Sequence, residues 1–188
     1  GSHDQMTIVV DSKTEAATLV LNGASLSNTE GPAILLQSGS DIVIELAEGT
    51  ENFVADGGNS DYDGAIYGLV SYTIDGKGAL TVQGNVNEGI ASEENLTIND
   101  GIITVEAVDD GLNASHDGAS QLTINDGQLL IKAGGDGIDS NGSLTINGGT
   151  IITMSPTTDM SGGIDADGEV LFNGGTIIAS GGHNSSPS

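Results

Sequence analysis

Apolar residues recur along this chain in short alternating bursts, and the bursts themselves recur. The clearest phrase is Leu-Thr-Ile-Asn-x-Gly, at Leu96-Thr97-Ile98-Asn99-Asp100-Gly101, Leu122-Thr123-Ile124-Asn125-Asp126-Gly127 and Leu144-Thr145-Ile146-Asn147-Gly148-Gly149. Variants stand at Leu19-Val20-Leu21-Asn22-Gly23, Leu80-Thr81-Val82-Gln83-Gly84 and Val170-Leu171-Phe172-Asn173-Gly174. Apolar, polar, apolar is period two, so each phrase is a short strand with alternate residues turned to a core. A second strand follows, as in Ile102-Ile103-Thr104-Val105-Glu106-Ala107, Gln128-Leu129-Leu130-Ile131-Lys132-Ala133 or Thr150-Ile151-Ile152-Thr153-Met154. Then come an acidic turn and a third apolar segment around Leu112, Ile138 or Ile164.

Three short strands in each repeat of 22 to 26 residues, glycine at the corners and no helical periodicity describe one rung of a parallel β-helix. A hairpin-built sandwich would repeat every 8 to 12 residues or so instead. Length divided by repeat predicts an all-β, single-domain solenoid of about eight rungs. Met6 to Val10 reads as a first strand and Asp41 to Leu46 as a later one, whereas Glu51 to Asp63 reads as a loop leaving the solenoid. Residues 1–3 read as a cloning remnant, 4–182 as the β-helix and 183–188 as a frayed tail. No polar cap is evident beyond Ile177-Ile178, the pattern of one part of a longer solenoid. Asn22, Asn99, Asn125, Asn147 and Asn173 share a position just before a glycine corner, which predicts a ladder of stacked side-chain amides.

Composition narrows the partners. The 188 residues include 27 Asp and Glu against 3 Lys and no Arg, for a formal net charge of -24. Phosphate binding needs a basic footprint, so nucleic acid and anionic membrane surfaces are excluded. No apolar run approaches the roughly 20 residues of a membrane span. The chain has no cysteine, which removes thiolate chemistry and disulfides and is compatible with secretion.

The acids are not scattered. Asp109-Asp110-Gly111-Leu112-Asn113 is rewritten as Gly135-Asp136-Gly137-Ile138-Asp139 and, in reduced form, as Gly162-Gly163-Ile164-Asp165. Stacking successive rungs about 4.8 Å apart puts like charges over one another, and bound cations would reverse that repulsion. Calcium, which takes oxygen ligands that adjacent rungs can supply, suits the pattern. Asp109, Asp110, Asn113, Asp136 and Asp139 form one candidate ligand cluster, and Asp136, Asp139, Asn141, Asp165 and Asp167 a second, with Glu88 extending the row. Gly134 to Asp139 also fits one copy of a calcium-binding nonapeptide, but that architecture repeats every nine residues or so and is rejected. His116 and His183 fall in a turn and the tail, and no pair of acids is singled out for glycoside hydrolysis. Tyr62, Tyr67 and Tyr72 are candidate sugar-stacking residues, and Asp136 and Asp139 are candidate carbohydrate-binding acids.

The ordered phrases from Leu19-Val20-Leu21-Asn22-Gly23 through Asp41-Ile42-Val43-Ile44-Glu45-Leu46 and Asn87-Glu88-Gly89-Ile90 to the Asp-Gly-Ile coils resemble clostridial-type carbohydrate-binding parallel β-helix domains. Those domains are similar to family 9 pectate lyases. The resemblance covers roughly residues 17–182 and implies a right-handed parallel β-helix, calcium along one face, and binding of cellulose or polygalacturonate outside the cell. In the related lyases an Asp-Asp-Gly-x-Asp turn binds calcium and a downstream Lys is the base. Asp109 to Asn113 matches that turn with Asn in the last place, while Lys132 lies mid-strand, level with Glu106. The expected function is therefore secreted, calcium-dependent, non-catalytic polysaccharide binding by a monomer. A weak pectate lyase and a calcium-stiffened adhesin stalk are the alternatives.

Overall fold

A computed structural model describes residues 1–58, 61–157 and 160–188. Among these residues there is no helix; 21 strands fall into three parallel sheets of eight, six and seven strands. Each coil visits the seven-stranded sheet, the eight-stranded sheet and the six-stranded sheet in turn, as in Leu96–Ile98, Ile102–Ala107 and Leu112–Ala114. The architecture is a parallel β-solenoid of about seven turns, slightly shorter than the eight expected. The difference arises because some coils, such as those between Leu19 and Leu80, run longer than the clearest repeats.

Register explains the sequence repeat. Leu96 pairs with Leu122, Leu122 with Leu144 and Leu144 with Val170, while Ile98, Ile124 and Ile146 stack beside them. On the other two sheets Ile103, Leu129 and Ile151 form one column and Ile90, Leu112 and Ile138 another. All of these side chains are buried. Each such Leu or Ile contributes about 1.5–3 kcal/mol through burial, so like residues repeat because each rung packs on a copy of itself.

The amide ladder also forms, with one change of membership. Asn173 donates to Asn147, Asn147 to Asn125 and Asn125 to Asn99, each at 2.8 Å, and Asn99 donates at 3.1 Å to the Asp75 carboxylate. A carboxylate accepts without donating, so Asp75 terminates the chain of bonds. Asn22 is outside the ladder: Leu21 is level with Leu46 and Leu46 with Gly76, which puts Asn22 past the ladder position held by Asp75.

Three further expectations change. Glu51–Ala55 is a strand rather than the start of a loop. Asn52 breaks the apolar alternation there, yet it is buried, accepting from Ala24 N at 2.9 Å and donating to Ala79 O at 3.0 Å. The loop begins after this strand; Asn59 and Ser60, which the expected loop includes, lie outside the described residues. Ser2–Asp4 adds a first strand beside Ser25–Ser27. Residues 183–188 run along the last coil instead of fraying: Ser185 N donates to Ile164 O at 2.9 Å and Ser188 N to Val170 O at 2.9 Å.

Glycine in the Asp-Gly-Ile phrase serves close packing more than turning. Gly89, Gly111 and Gly137 lie one above another, and a Cβ on them would run into Val105, Ile131 and Thr153 of the eight-stranded sheet respectively. The missing side chain lets the two sheets meet at this corner and leaves the preceding acid half-buried. Gly111→Ala, whose Cβ would overlap Ile131 and lie 2.6 Å from Gly137 O, should destabilise the fold by roughly 1–3 kcal/mol through overpacking. The urea midpoint would fall at unchanged slope; an unchanged midpoint would refute the packing role.

Candidate functional site

The acidic turns enter the six-stranded sheet along one corner. Gly89 N bonds Asp110 O, Gly111 N bonds Asp136 O and Gly137 N bonds Gly162 O, which stacks Glu88, Asp110, Asp136 and Gly162 in one column. Three residues on, the outward row of the sheet runs Tyr67, Ala91, Asn113 and Asp139 by register. Asp165 follows, its backbone bonded to Ile138 O and Ser140 N. Apolar and aromatic at one end, this row becomes acidic at the other.

Asp136, Asp139 and Asp165 converge, each with an oxygen within 4.8 Å of the others, a grouping able to hold a metal ion. Each has one oxygen engaged within the chain. Asp136 Oδ1 accepts from Gly162 N, Asp139 Oδ2 from Asn113 Nδ2 at 3.2 Å, and Asp165 Oδ1 from Ala166 N at 3.0 Å and Ser185 Oγ at 2.8 Å. A carboxylate has two oxygens, so this ligation does not require breaking those bonds.

The neighbouring turn is satisfied differently. Asn113 Nδ2 donates to Asp110 Oδ2 at 3.1 Å as well as to Asp139, and Asp110 Oδ1 accepts from Asp136 N at 2.7 Å. The amide bridges two carboxylates on adjacent coils, its partly positive hydrogens standing where a cation's charge would otherwise be needed. Asp109 is exposed at the edge. Asn141 turns to Ser115 O and Asp117, both at 3.1 Å, and Asp167 is exposed. Of the nine residues expected as ligands, the structure thus groups three.

Electrostatics mark the same corner. Burial, then the charges of Asp110, Asp136, Asp165 and Asp167, pushes the Asp139 carboxyl up to about 7. Burial likewise raises Asp136, and raises Asp110 to about 6 in spite of its hydrogen bonds. Glu88 is pushed up to about 8, chiefly by burial and further by Asp63, Asp110 and Asp109, and its Oε2 is buried without a partner among the described residues.

The tyrosines do not form a sugar platform. Tyr72 is 3% exposed, its ring in the core and its hydroxyl donating to Ala91 O at 3.1 Å. Tyr67 is 7% exposed, covered by Tyr62 at a ring-centroid distance of 5.5 Å, and donates to Glu93 at 2.8 Å. Period two turns Tyr72 inward and Tyr67 outward, and the outward ring is consumed by its own small cluster with Leu35 and Ala91. Two contributors escaped sequence reasoning: Ser185, which holds Asp165, and Asn184, which accepts from Ile164 N at 3.1 Å. Neither follows the repeat, although an Asn-Ser pair in an otherwise featureless tail is a hydrogen-bonding signal.

Fold and site together define a β-solenoid with a cation-competent acidic corner. The model of the carbohydrate-binding domain-containing protein family matches residues 1–188, and the chain belongs to that family. A carbohydrate-binding domain-containing protein of Acetivibrio thermocellus is 35% identical over 116 residues, spanning 57% of this chain and 41% of that protein. The match therefore takes in less than half the length of this curated relative. Among solved structures, the polysaccharide lyase-like protein from C. thermocellum, a gadolinium derivative, matches with TM-score 0.76 at 31% identity, covering 95% of this chain and 79% of that one.

A pH dependence follows for protein stripped of metal. A carboxyl raised in the fold above its unfolded value, about 4, stabilises the fold fully below that value and ceases to as pH rises through the folded one. With Asp110 at about 6, Asp139 at about 7 and Glu88 at about 8, melting in excess chelator should be lower at pH 8 than at pH 5. Asp139→Asn should flatten that dependence; a higher melt at pH 8 would contradict the assignment.

Proposed function

We propose that this chain is a secreted, calcium-dependent, non-catalytic module that holds plant cell-wall polysaccharide, cellulose or polygalacturonate. The observation that carries the reading is the convergence of Asp136, Asp139 and Asp165 on the outer face of a carbohydrate-binding family member. Three carboxylates from adjacent coils, with room for carbonyl or water oxygens, fit a large hard cation better than a small octahedral one. The similar C. thermocellum protein is a gadolinium derivative, and gadolinium shares calcium's preference for oxygen ligands. Asp136, Asp139 and Asp165 would hold the ion, and calcium there would supply the positive charge that a uronate carboxylate needs on so acidic a surface.

Lys132 supports the non-catalytic reading. It lies on the eight-stranded sheet, on the strand that runs into the acidic corner, and its ammonium is 2.6 Å from Glu106. Among the described residues, its ammonium is engaged by the Glu106 carboxylate and by no group of the acidic corner.

Calcium at a hundredfold excess over its Kd should raise the melting temperature by about 5–10 °C. Asp136→Asn with Asp139→Asn should abolish that rise and release the protein from polygalacturonate as chelator does for the wild type. A melt indifferent to calcium, or retention on polygalacturonate unchanged by chelator, would refute calcium dependence. Ultraviolet absorbance from an unsaturated product would refute the non-catalytic reading.

A further inference from the structure

The outer face of the eight-stranded sheet departs from the acidity of the rest of the molecule. By register its middle row runs from Phe53 through Thr81, Thr104, Leu130 and Ile152 to Ile178 without a charge. The flanking rows from Glu51–Ala55 to Thr176–Ser180 carry Glu51 and the Glu106 and Lys132 pair, whose charges cancel at 2.6 Å. On a chain of net charge -24, a charge-free middle row is a property of this face, with Asp100 and Asp126 standing at its edge beside Gln128 and Thr150.

The far end of the face is also apolar. Leu130 is 42% exposed, Ile178 57% and Met154 42%, and Ile152 lies between Leu130 and Ile178 in the same row. Single exposed apolar residues are ordinary, but a contiguous row on adjacent strands marks a surface that meets something. Hydroxyl and amide groups of Gln128, Thr150 and Thr176 line one side of it.

We propose that this strip docks the carbon–hydrogen faces of an uncharged polysaccharide, independently of the metal centre. The inference rests on the carbohydrate-binding reading above and assigns it a second surface. A β-linked pyranose chain carries its hydroxyls at the ring edges and C–H groups on the ring faces. Aliphatic side chains one strand spacing apart, about 4.8 Å, can bury those faces, while Gln128, Thr150 and Thr176 can bond the edges. Aromatic stacking, the usual alternative, is unavailable from the buried Tyr67 and Tyr72. A polyuronate would gain little here, because the Lys132 ammonium is already paired with Glu106 and Lys77 shares its groove at the edge with Asp100 and Asp126. Neutral and anionic chains are thereby sorted onto different sheets.

The test is retention on microcrystalline cellulose and on a polygalacturonate gel, with calcium and with chelator, below the melting temperature of the metal-free protein. Wild type should bind cellulose equally in both conditions. Leu130→Ser with Ile178→Ser should weaken cellulose binding about tenfold and leave calcium-dependent polygalacturonate binding unchanged. Thr150→Asp with Thr176→Asp, at exposed positions beside the strip, should weaken cellulose binding too while sparing every apolar contact. Unaltered cellulose binding by both double variants would overturn the proposal, as would release of the wild type from cellulose by chelator. A wild-type dimer in sedimentation that Leu130→Ser with Ile178→Ser dissolves would also overturn it, making the strip a self-association surface. Wild type that binds neither polysaccharide would sink the carbohydrate-binding reading itself.

Discussion

Parallel stacking in register governs this molecule. Because each coil lies about 4.8 Å from the next, every side chain meets the residues that occupy its own position one coil away. Aliphatic residues gain from such a neighbour, which accounts for the columns through Leu122 and Val105. An amide gains as well, since it both donates and accepts, and Asn125 does both within its ladder. A carboxylate only accepts, so a column of acids cannot satisfy itself.

The chain meets that difficulty in two ways on adjacent coils. At one turn an amide stands where a third acid would, and Asn113 divides its hydrogens between Asp110 and Asp139. At the next the amide is missing: Asp139 lies level with Asp165, beside Asp136, and the three approach one another. Burial compounds the repulsion there, so protons are held unusually tightly at Asp139 unless a cation replaces them. The metal-competent corner is thus the place where the internal remedy for stacked charge runs out.

The solenoid and its three-strand rung were legible because they depend on local alternation repeated at a fixed interval, as at Leu96, Leu122 and Leu144. Exceptions to the repeat were not. Asn52 reads as an interruption but is an inward residue bonded to coils on both sides. Asn22 matches the ladder in its local phrase, yet longer intervening coils shift its register. Within the candidate site, the acids on successive coils were visible from spacing, whereas their division into an amide-bridged pair and a converging triad depends on side-chain direction. Tyr72 looked like a surface aromatic, and only its parity within Tyr72–Gly76 turns it into the core.

Stacking also keeps the faces chemically separate. A row stays on its own sheet for the length of the solenoid, so acids added at the Asp110 and Asp136 position never appear on the face that carries Leu130 and Ile178. A compact domain of this net charge would surround any apolar patch with acids at short range, and the cost of removing water from them would oppose docking. Here Glu106 and Lys132 neutralise each other within the face, and the metal-competent corner lies on a different sheet. Two binding chemistries with opposite electrostatic demands can therefore share one short chain, because the register that builds the core also confines each charge to its row.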